Sequence, residues 1–212
     1  YIGATVMPTN LISILDELTY LVEHSESRAI FTDPGSLDLV NQVAESLSVS
    51  RVVVCDDGTG IPDGFLDYDG LLDTQVSTPK TSPVSSDSLV QLLYTSGTTA
   101  RPKGVMLTNS CLIYGAEVFR AATGLSEDDC HLIALPVYHA GAQCHALWPS
   151  IMAGCRVALM SRFSASRFFE QAVTYGGTMA ALFGAPLRML LNQPERETDT
   201  AHAIRNITFA QS

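Results

Sequence analysis

Apolar positions along the chain follow two alternating rhythms. Leu15, Leu18, Leu21 and Val22 fall three or four apart, which predicts a helix over 16–25. Leu37, Val40, Val43, Ala44 and Leu47 repeat that spacing and predict a helix over 37–47. Unbroken apolar runs separate these stripes. Ala29-Ile30-Phe31 predicts a strand over 28–32, closed by Asp33-Pro34, and Val52-Val53-Val54 a strand over 51–55. A short run over 2–7, ended by Pro8, predicts a strand before them. The same alternation continues to the end, with strands expected at 89–95, 105–107, 131–135, 156–160, 178–183 and 207–209. Helices are expected at 110–122 (capped by Thr108 or Asn109), 140–153 and 185–191. Another, capped by Ser164, runs through Phe168, Phe169, Ala172 and Val173 to Gly176-Gly177. Apolar strands between amphipathic helices argue for an α/β fold, mainly parallel sheet flanked by helices.

One stretch breaks the pattern. Residues 76–88 are rich in Ser, Thr and Pro without periodicity, as in a surface loop or hinge. A crossing loop within one domain is the simpler reading; a division into subdomains, as the alternative, would fall there or after 160. Composition narrows the function classes. Charged residues make up 16% and the net charge is −10 over 212 residues. No basic face for a nucleic acid or an anionic membrane is expected from that balance. The five cysteines show no CxxC spacing, so a reducing, cytoplasmic setting is the simple expectation. Residues 130–155 lack Asp, Glu, Lys and Arg, yet hold three His and two Pro. A buried strand, turn and helix fit them better than a membrane span.

Chemistry concentrates in Tyr94-Thr95-Ser96-Gly97-Thr98-Thr99-Ala100-Arg101-Pro102-Lys103-Gly104. Four hydroxyls, a glycine and a following lysine between two strands suit a polyphosphate. The arrangement is not a Walker A loop: Lys103 precedes its glycine, and Val105 opens a strand rather than a helix. From composition alone, a Ser/Thr-rich hairpin tip fits as well.

Tyr94 to Val105 closely resembles the YTSGTTGxPKGV signature of adenylate-forming (AMP-binding) enzymes, with Ala100 where glycine is commonest. Gly3-Ala4-Thr5-Val6-Met7-Pro8-Thr9-Asn10 is similar to an upstream segment of that family. Pro136-Val137-Tyr138-His139 is similar to its PxFH hallmark, with Gly154 and Ala185-Pro186 in matching places. Arg101 before Pro102, Gln143-Cys144, and the run from Met189 to Pro194 look nearest to bacterial carnitine/crotonobetaine–CoA ligases. The resemblance implies ATP-dependent activation of a small carboxylic acid to an acyl-adenylate, then thioester formation with CoA. Mg²⁺ would enter through the nucleotide. It implies that Thr95, Ser96, Gly97, Thr98, Thr99 and Lys103 bind the ATP phosphates. Lys103 would clamp pyrophosphate, and His139 would sit where the carboxylate meets ATP. Val137, Tyr138, His139 and Gln143 would line the acyl pocket. No resident metal site is implied.

Read without the motif, His139 is as ordinary as any packed histidine; the motif register moves it to the active site. His131 and His145 lack that support, and their spacings match no short zinc pattern. Both chain ends read as cut, so the whole of 1–212 is expected to be part of the family's large N-terminal domain. The C-terminal domain and the adenine and Mg²⁺ contacts would lie outside it. Such a piece is expected to be inactive alone and prone to self-association. Two alternatives stand beside this: an amino-acid adenylation domain, which usually shows Asp where His139 stands, and an inactive short binding module.

Overall fold

A computed structural model describes residues 3–10, 13–53, 58, 60–74, 83–95 and 101–210. The chain forms two compact units, Tyr1–Leu107 and Thr108–Ser212. Their boundary falls beside a strand–helix junction.

In the first unit, α1 (Leu15–His24) and α2 (Leu37–Leu47) form where the stripes predict them. They bury Leu18, Val22, Val40 and Val43 against Ile30 and Phe65. Strands β1 (Ala29–Thr32), β2 (Ser50–Val53) and β3 (Leu66–Asp67) make a parallel sheet in that order. β3 and the short α3 (Tyr68–Asp73) escape periodicity because each is too brief to show a stripe. Asp67 is their one sequence signal: its carboxylate accepts from the N–H groups of Asp69 and Gly70 as an N-cap. β4 (Leu89–Tyr94) pairs with β5 (Gly104–Thr108). Of the strand expected over 2–7, the described residues 3–7 form one parallel bridge, Val6 to Gln91. Val6 donates to Val90 O and its own carbonyl accepts from Leu92 N–H, and Pro8 has no N–H to extend the ladder.

The second unit is a four-stranded parallel sheet, β6 (Cys130–Ile133), β7 (Arg156–Leu159), β8 (Met179–Phe183) and β9 (Asn206–Ala210). Spatial order is β7-β6-β8-β9. α4 (Asn109–Thr123) precedes it, and Thr108 accepts from Cys111 N–H as the cap. Between β6 and β7 the expected helix is present but in three parts: α5 (Ala140–Ala142), a π-helical turn (Gln143–Leu147) and α6 (Trp148–Ala153). α7 (Phe168–Tyr175) leads to β8 and α8 (Gly184–Leu191) follows it. Gly154 and Gly176 end α6 and α7 with φ of 69° and 64°, a conformation that penalises any Cβ. Ser164 makes no capping bond to α7, because a 3₁₀ turn over Ala165–Arg167 intervenes.

Both faces of this sheet are covered. Leu132, Ala180 and Leu182 pack with Phe168, Ala172 and Leu190 on one side. Ile133 and Ala181 pack with Ala142 and Ala146 on the other, with Phe183 alongside. Strand period two divides the residues between the two cores. The fit is tight at Gly177, where an added Cβ would lie 2.5 Å from Leu132 Cγ and Cδ1. Gly177→Ala is therefore expected to cost about 2 kcal/mol by overpacking. A fall in the urea midpoint at constant slope checks it; an unchanged midpoint would show that Leu132 moves aside freely.

Strand order positions the site. The connection after β6 leads to β7 at one edge, whereas that after β8 leads to β9 at the other. In open parallel sheets, ligands enter the crevice beyond the carboxyl ends of strands where the winding reverses. Here that crevice lies past Ile133 and Phe183, and the chain leaving β6 runs directly to His139.

Candidate functional site

The chemistry-bearing residues fall into two clusters. Thr95 and Lys103 are carried by the first unit; Val137, Tyr138, His139 and Gln143 by the second. Ser96, Gly97, Thr98 and Thr99 lie outside the described residues.

Thr95 and Lys103 close the neck of the loop between β4 and β5. Thr95 N–H donates to Lys103 O at 3.1 Å, and Lys103 N–H donates to Thr95 Oγ1 at 3.4 Å. The Thr95 hydroxyl still has its proton to offer. Both residues are exposed, and among the described residues Lys103 has no ion-pair partner. None of the described residues pairs with its ammonium. Gly104 lies against the Tyr94 ring, whose Cζ would stand 3.2 Å from a Cβ there. Sequence reasoning missed the stem. Tyr20 donates its hydroxyl to Pro102 O at 3.0 Å, and His24 Nδ1 lies 2.7 Å from the Tyr94 hydroxyl. Arg101 lies over the Tyr20 ring at 5.1 Å. Burial, then the neighbouring Tyr20, raises the Tyr94 pKa, keeping its phenol protonated. The available signal was the four-residue spacing of Tyr20 and His24, which puts both on one face of α1.

In the second unit, Pro136 to His139 form a turn closed by His139 N–H to Pro136 O at 3.0 Å. His139 is the N-cap of α5, and its Nδ1 accepts from Gly141 N–H at 3.1 Å. That bond fixes the neutral tautomer with its proton on Nε2, a donor on an exposed ring. Gln143 is buried, with Nε2 donating to Val137 O at 2.6 Å. Its amide therefore holds the shape of the turn. Val137 is exposed and Tyr138 half-buried. Gly141 is pressed on Phe183, whose ring would meet a Cβ at 2.9 Å. This contact draws the two sides of the crevice together.

The other histidines separate from this cluster. His131 is fully buried, with Nδ1 at 3.0 Å from Ser150 Oγ. Ser150 donates to Ala146 O, so Nδ1 carries the proton. Burial pushes the His131 pKa down to about 4, against a raising effect of Asp129. His145 lies edge-on between Phe119 and Phe183 at 5.2 and 5.3 Å. Among the described residues, no three His, Cys, Asp or Glu are grouped to hold a metal, and no helix is long and apolar enough to cross a membrane.

The profile of the family described as AMP-binding enzyme matches residues 1–211. The crotonobetaine/carnitine–CoA ligase of Salmonella typhimurium (strain LT2) is 29% identical over 211 residues, or 98% of this chain and 41% of the relative. The protein of that name from Escherichia coli O139:H28 is 28% identical over the same length and shares. ATP-bound MatB from Rhodopseudomonas palustris has the same fold, with TM-score 0.82 at 23% identity over 97% of this chain and 39% of that one. The anthranilate CoA ligase AuaEII, in complex with anthranoyl-AMP, matches with TM-score 0.84 at 18% identity, over 98% and 40%. The chain spans about two fifths of the length of the curated relatives it matches. The parallel sheets, the lysine-bearing neck and the histidine-capped turn thus stand within one end-to-end match, and the chain belongs to the AMP-binding enzyme family.

Proposed function

We propose that the chain contributes the triphosphate loop and part of the acyl pocket to an AMP-forming carboxylate–CoA ligase. In the first step a carboxylate oxygen attacks the α-phosphorus of ATP. The α–β bridging P–O bond breaks, and pyrophosphate leaves with its electron pair. In the second, the CoA sulfur attacks the acyl carbonyl, the carbonyl C–O bond to phosphate breaks, AMP departs with its electron pair and the thiol proton passes to solvent. Such phosphoryl chemistry needs positioning and charge neutralisation more than covalent help. Mg²⁺ would arrive on the nucleotide and share that neutralisation. Lys103 serves as a point charge on the departing pyrophosphate, and the hydroxyls of Thr95, Ser96, Thr98 and Thr99 donate to the phosphates, with Gly97 leaving room. His139 Nε2–H donates toward the carboxylate, and Val137, Tyr138 and Gln143 shape the acyl side.

The observation that carries this reading is the exposed Lys103, unpaired among the described residues, on a backbone held at the loop neck. Its test is ATP–pyrophosphate exchange by the polypeptide that carries this chain in the cell, with a carboxylate panel including carnitine and crotonobetaine. Exchange that depends on one acid supports it; no exchange with any acid overturns it. The 212-residue chain alone is expected to form no acyl-adenylate.

His139 allows a sharper check, because capping and chemistry separate. His139→Ala loses the cap, worth about 1 kcal/mol, whereas His139→Asn keeps it. Both variants are expected to slow exchange by about tenfold or more, since neither presents the Nε2 donor at its present reach. Full activity in the Asn variant would reduce His139 to a helix cap.

A further inference from the structure

We propose that Tyr20 is a positioning residue for Lys103, acting through the peptide that joins Pro102 to Lys103. The inference rests on the phosphate-binding reading of the loop and uses only its described stem. That peptide is held at both ends. Its carbonyl, on Pro102, accepts from the Tyr20 hydroxyl at 3.0 Å. Its N–H, on Lys103, donates to Thr95 Oγ1 at 3.4 Å. The peptide is a rigid plane, so two bonds on opposite edges stop it from rotating between its flanking Cα atoms. The Lys103 side chain leaves from one of those atoms. Pro102 adds a locked φ.

Tyr20 is itself fixed. Its ring lies under the Arg101 guanidinium at 5.1 Å and beside the His24 ring at 5.2 Å. One helical turn on, His24 meets the Tyr94 hydroxyl at 2.7 Å, so the same face of α1 holds the outgoing strand as well as the returning one. A phenol can donate or accept, and this second link survives either protonation state of His24. α1 has a firm base, with Leu18, Leu21 and Val22 all buried. The first helix thus anchors a lysine more than eighty positions later in the chain. A flexible ammonium displaced by about 1 Å from its phosphate can cost on the order of a hundredfold in rate, which is why the backbone beneath it is braced.

The test compares wild type, Tyr20→Phe, Lys103→Ala and the double variant of this chain. Phe keeps the ring under Arg101 and removes only the bond to Pro102. Backbone hydrogen exchange at Thr95 and Lys103, tripolyphosphate affinity by calorimetry, and the melting temperature are the readouts. Tyr20→Phe is expected to speed exchange at both amides and weaken tripolyphosphate roughly three- to tenfold, with an unchanged melting temperature. In the Lys103→Ala background the same change is expected to have no further effect on affinity, a coupling that a merely structural role would not produce. Unchanged amide exchange overturns the anchoring, as does an equal loss of affinity in both backgrounds. If wild type fails to bind tripolyphosphate while Tyr20→Phe still speeds exchange, the phosphate reading falls and the positioning role with it, although the brace itself is present.

Discussion

Lys103→Ala is expected to lower ATP–pyrophosphate exchange by about a hundredfold in the polypeptide that carries this chain, with little change in melting temperature. The two halves of that expectation have separate causes. Lys103 is exposed and, among the described residues, unpaired, so its removal leaves no buried group without a partner. Its charge matters most as the α–β bond breaks and negative charge gathers on pyrophosphate, so the loss is expected in kcat more than in the KM for ATP. Lys103→Arg should recover only part of it, because a planar guanidinium on a longer stem cannot replace a compact ammonium at the same spot. Exchange within threefold of wild type in the Ala variant would remove Lys103 from the mechanism.

The largest stability effect is expected at Asp129. It is buried where β6, β8 and β9 begin, and it accepts from five donors. Oδ1 takes Thr178 Oγ1 at 2.7 Å and Arg205 Nε at 2.9 Å. Oδ2 takes an Arg205 terminal N at 2.6 Å, Ser126 N at 2.9 Å and Ser126 Oγ at 3.2 Å. Arg205 also ties to Gly124 O at 2.8 Å. The carboxylate therefore pins the turn after α4, the start of β8 and the approach to β9 in one network. An asparagine offers one acceptor oxygen and turns an NH₂ toward donors. Asp129→Asn is expected to cost about 3 kcal/mol, at the low end for a broken buried pair because the Arg205 side chain is 45% exposed. Thermal melting should fall by roughly 10 °C for a unit of this size. A shift under 2 °C would mean that the network relaxes around the amide.

The same site gives a pH dependence with a defined sign. Hydrogen bonding to Arg205 holds the Asp129 carboxyl well below the usual carboxylate range, with Thr178 and Ser126 adding to it against desolvation. A depressed carboxyl gives stability that is complete above the unfolded value of about 4 and is lost as pH falls below it. His131 acts at higher pH. With its folded pKa near 4, it resists the proton that the unfolded chain takes up at about 6.5. Stability is therefore expected to decline from about pH 6.5 downward, and Asp129→Asn to flatten only the limb below about pH 4.

Most elements were legible because their residues repeat at one period over many positions. α2 is the clearest case: its five apolar positions mark its length, and its buried face is Val40, Val43 and Ala44. β3 and α3 were hidden because two and six residues cannot establish a period. The loop at 94–105 was legible as chemistry from its hydroxyls and its lysine, and as a family from its order. The brace on Tyr20 was not, because a hydrogen bond to Pro102 is a tertiary event that no local spacing encodes. Gln143 was marked by the family resemblance for the acyl side; that its amide bonds Val137 O and shapes the turn needed the structure. His139 was singled out for its place in a motif; its capping of α5 needed the backbone to be seen.

The π-helical turn at Gln143–Leu147 holds one residue more than an α-helical turn would need. Beside it, His145 Nδ1 and Trp148 Nε1 are buried and, among the described residues, without a hydrogen-bond partner. A turn of this kind is a reservoir of chain length. One residue can be deleted there and the segment can close to ordinary helical pitch, so the change need not reach β6 or β7. Phase is kept, because the longer turn sweeps about the same angle as the α turn that would replace it. Gly141, pressed on Phe183, lies on the leading side of that joint, and α6 on the trailing side. The crevice wall can thus lose a residue with Gly141 still against Phe183 and the sheet beneath it as it is.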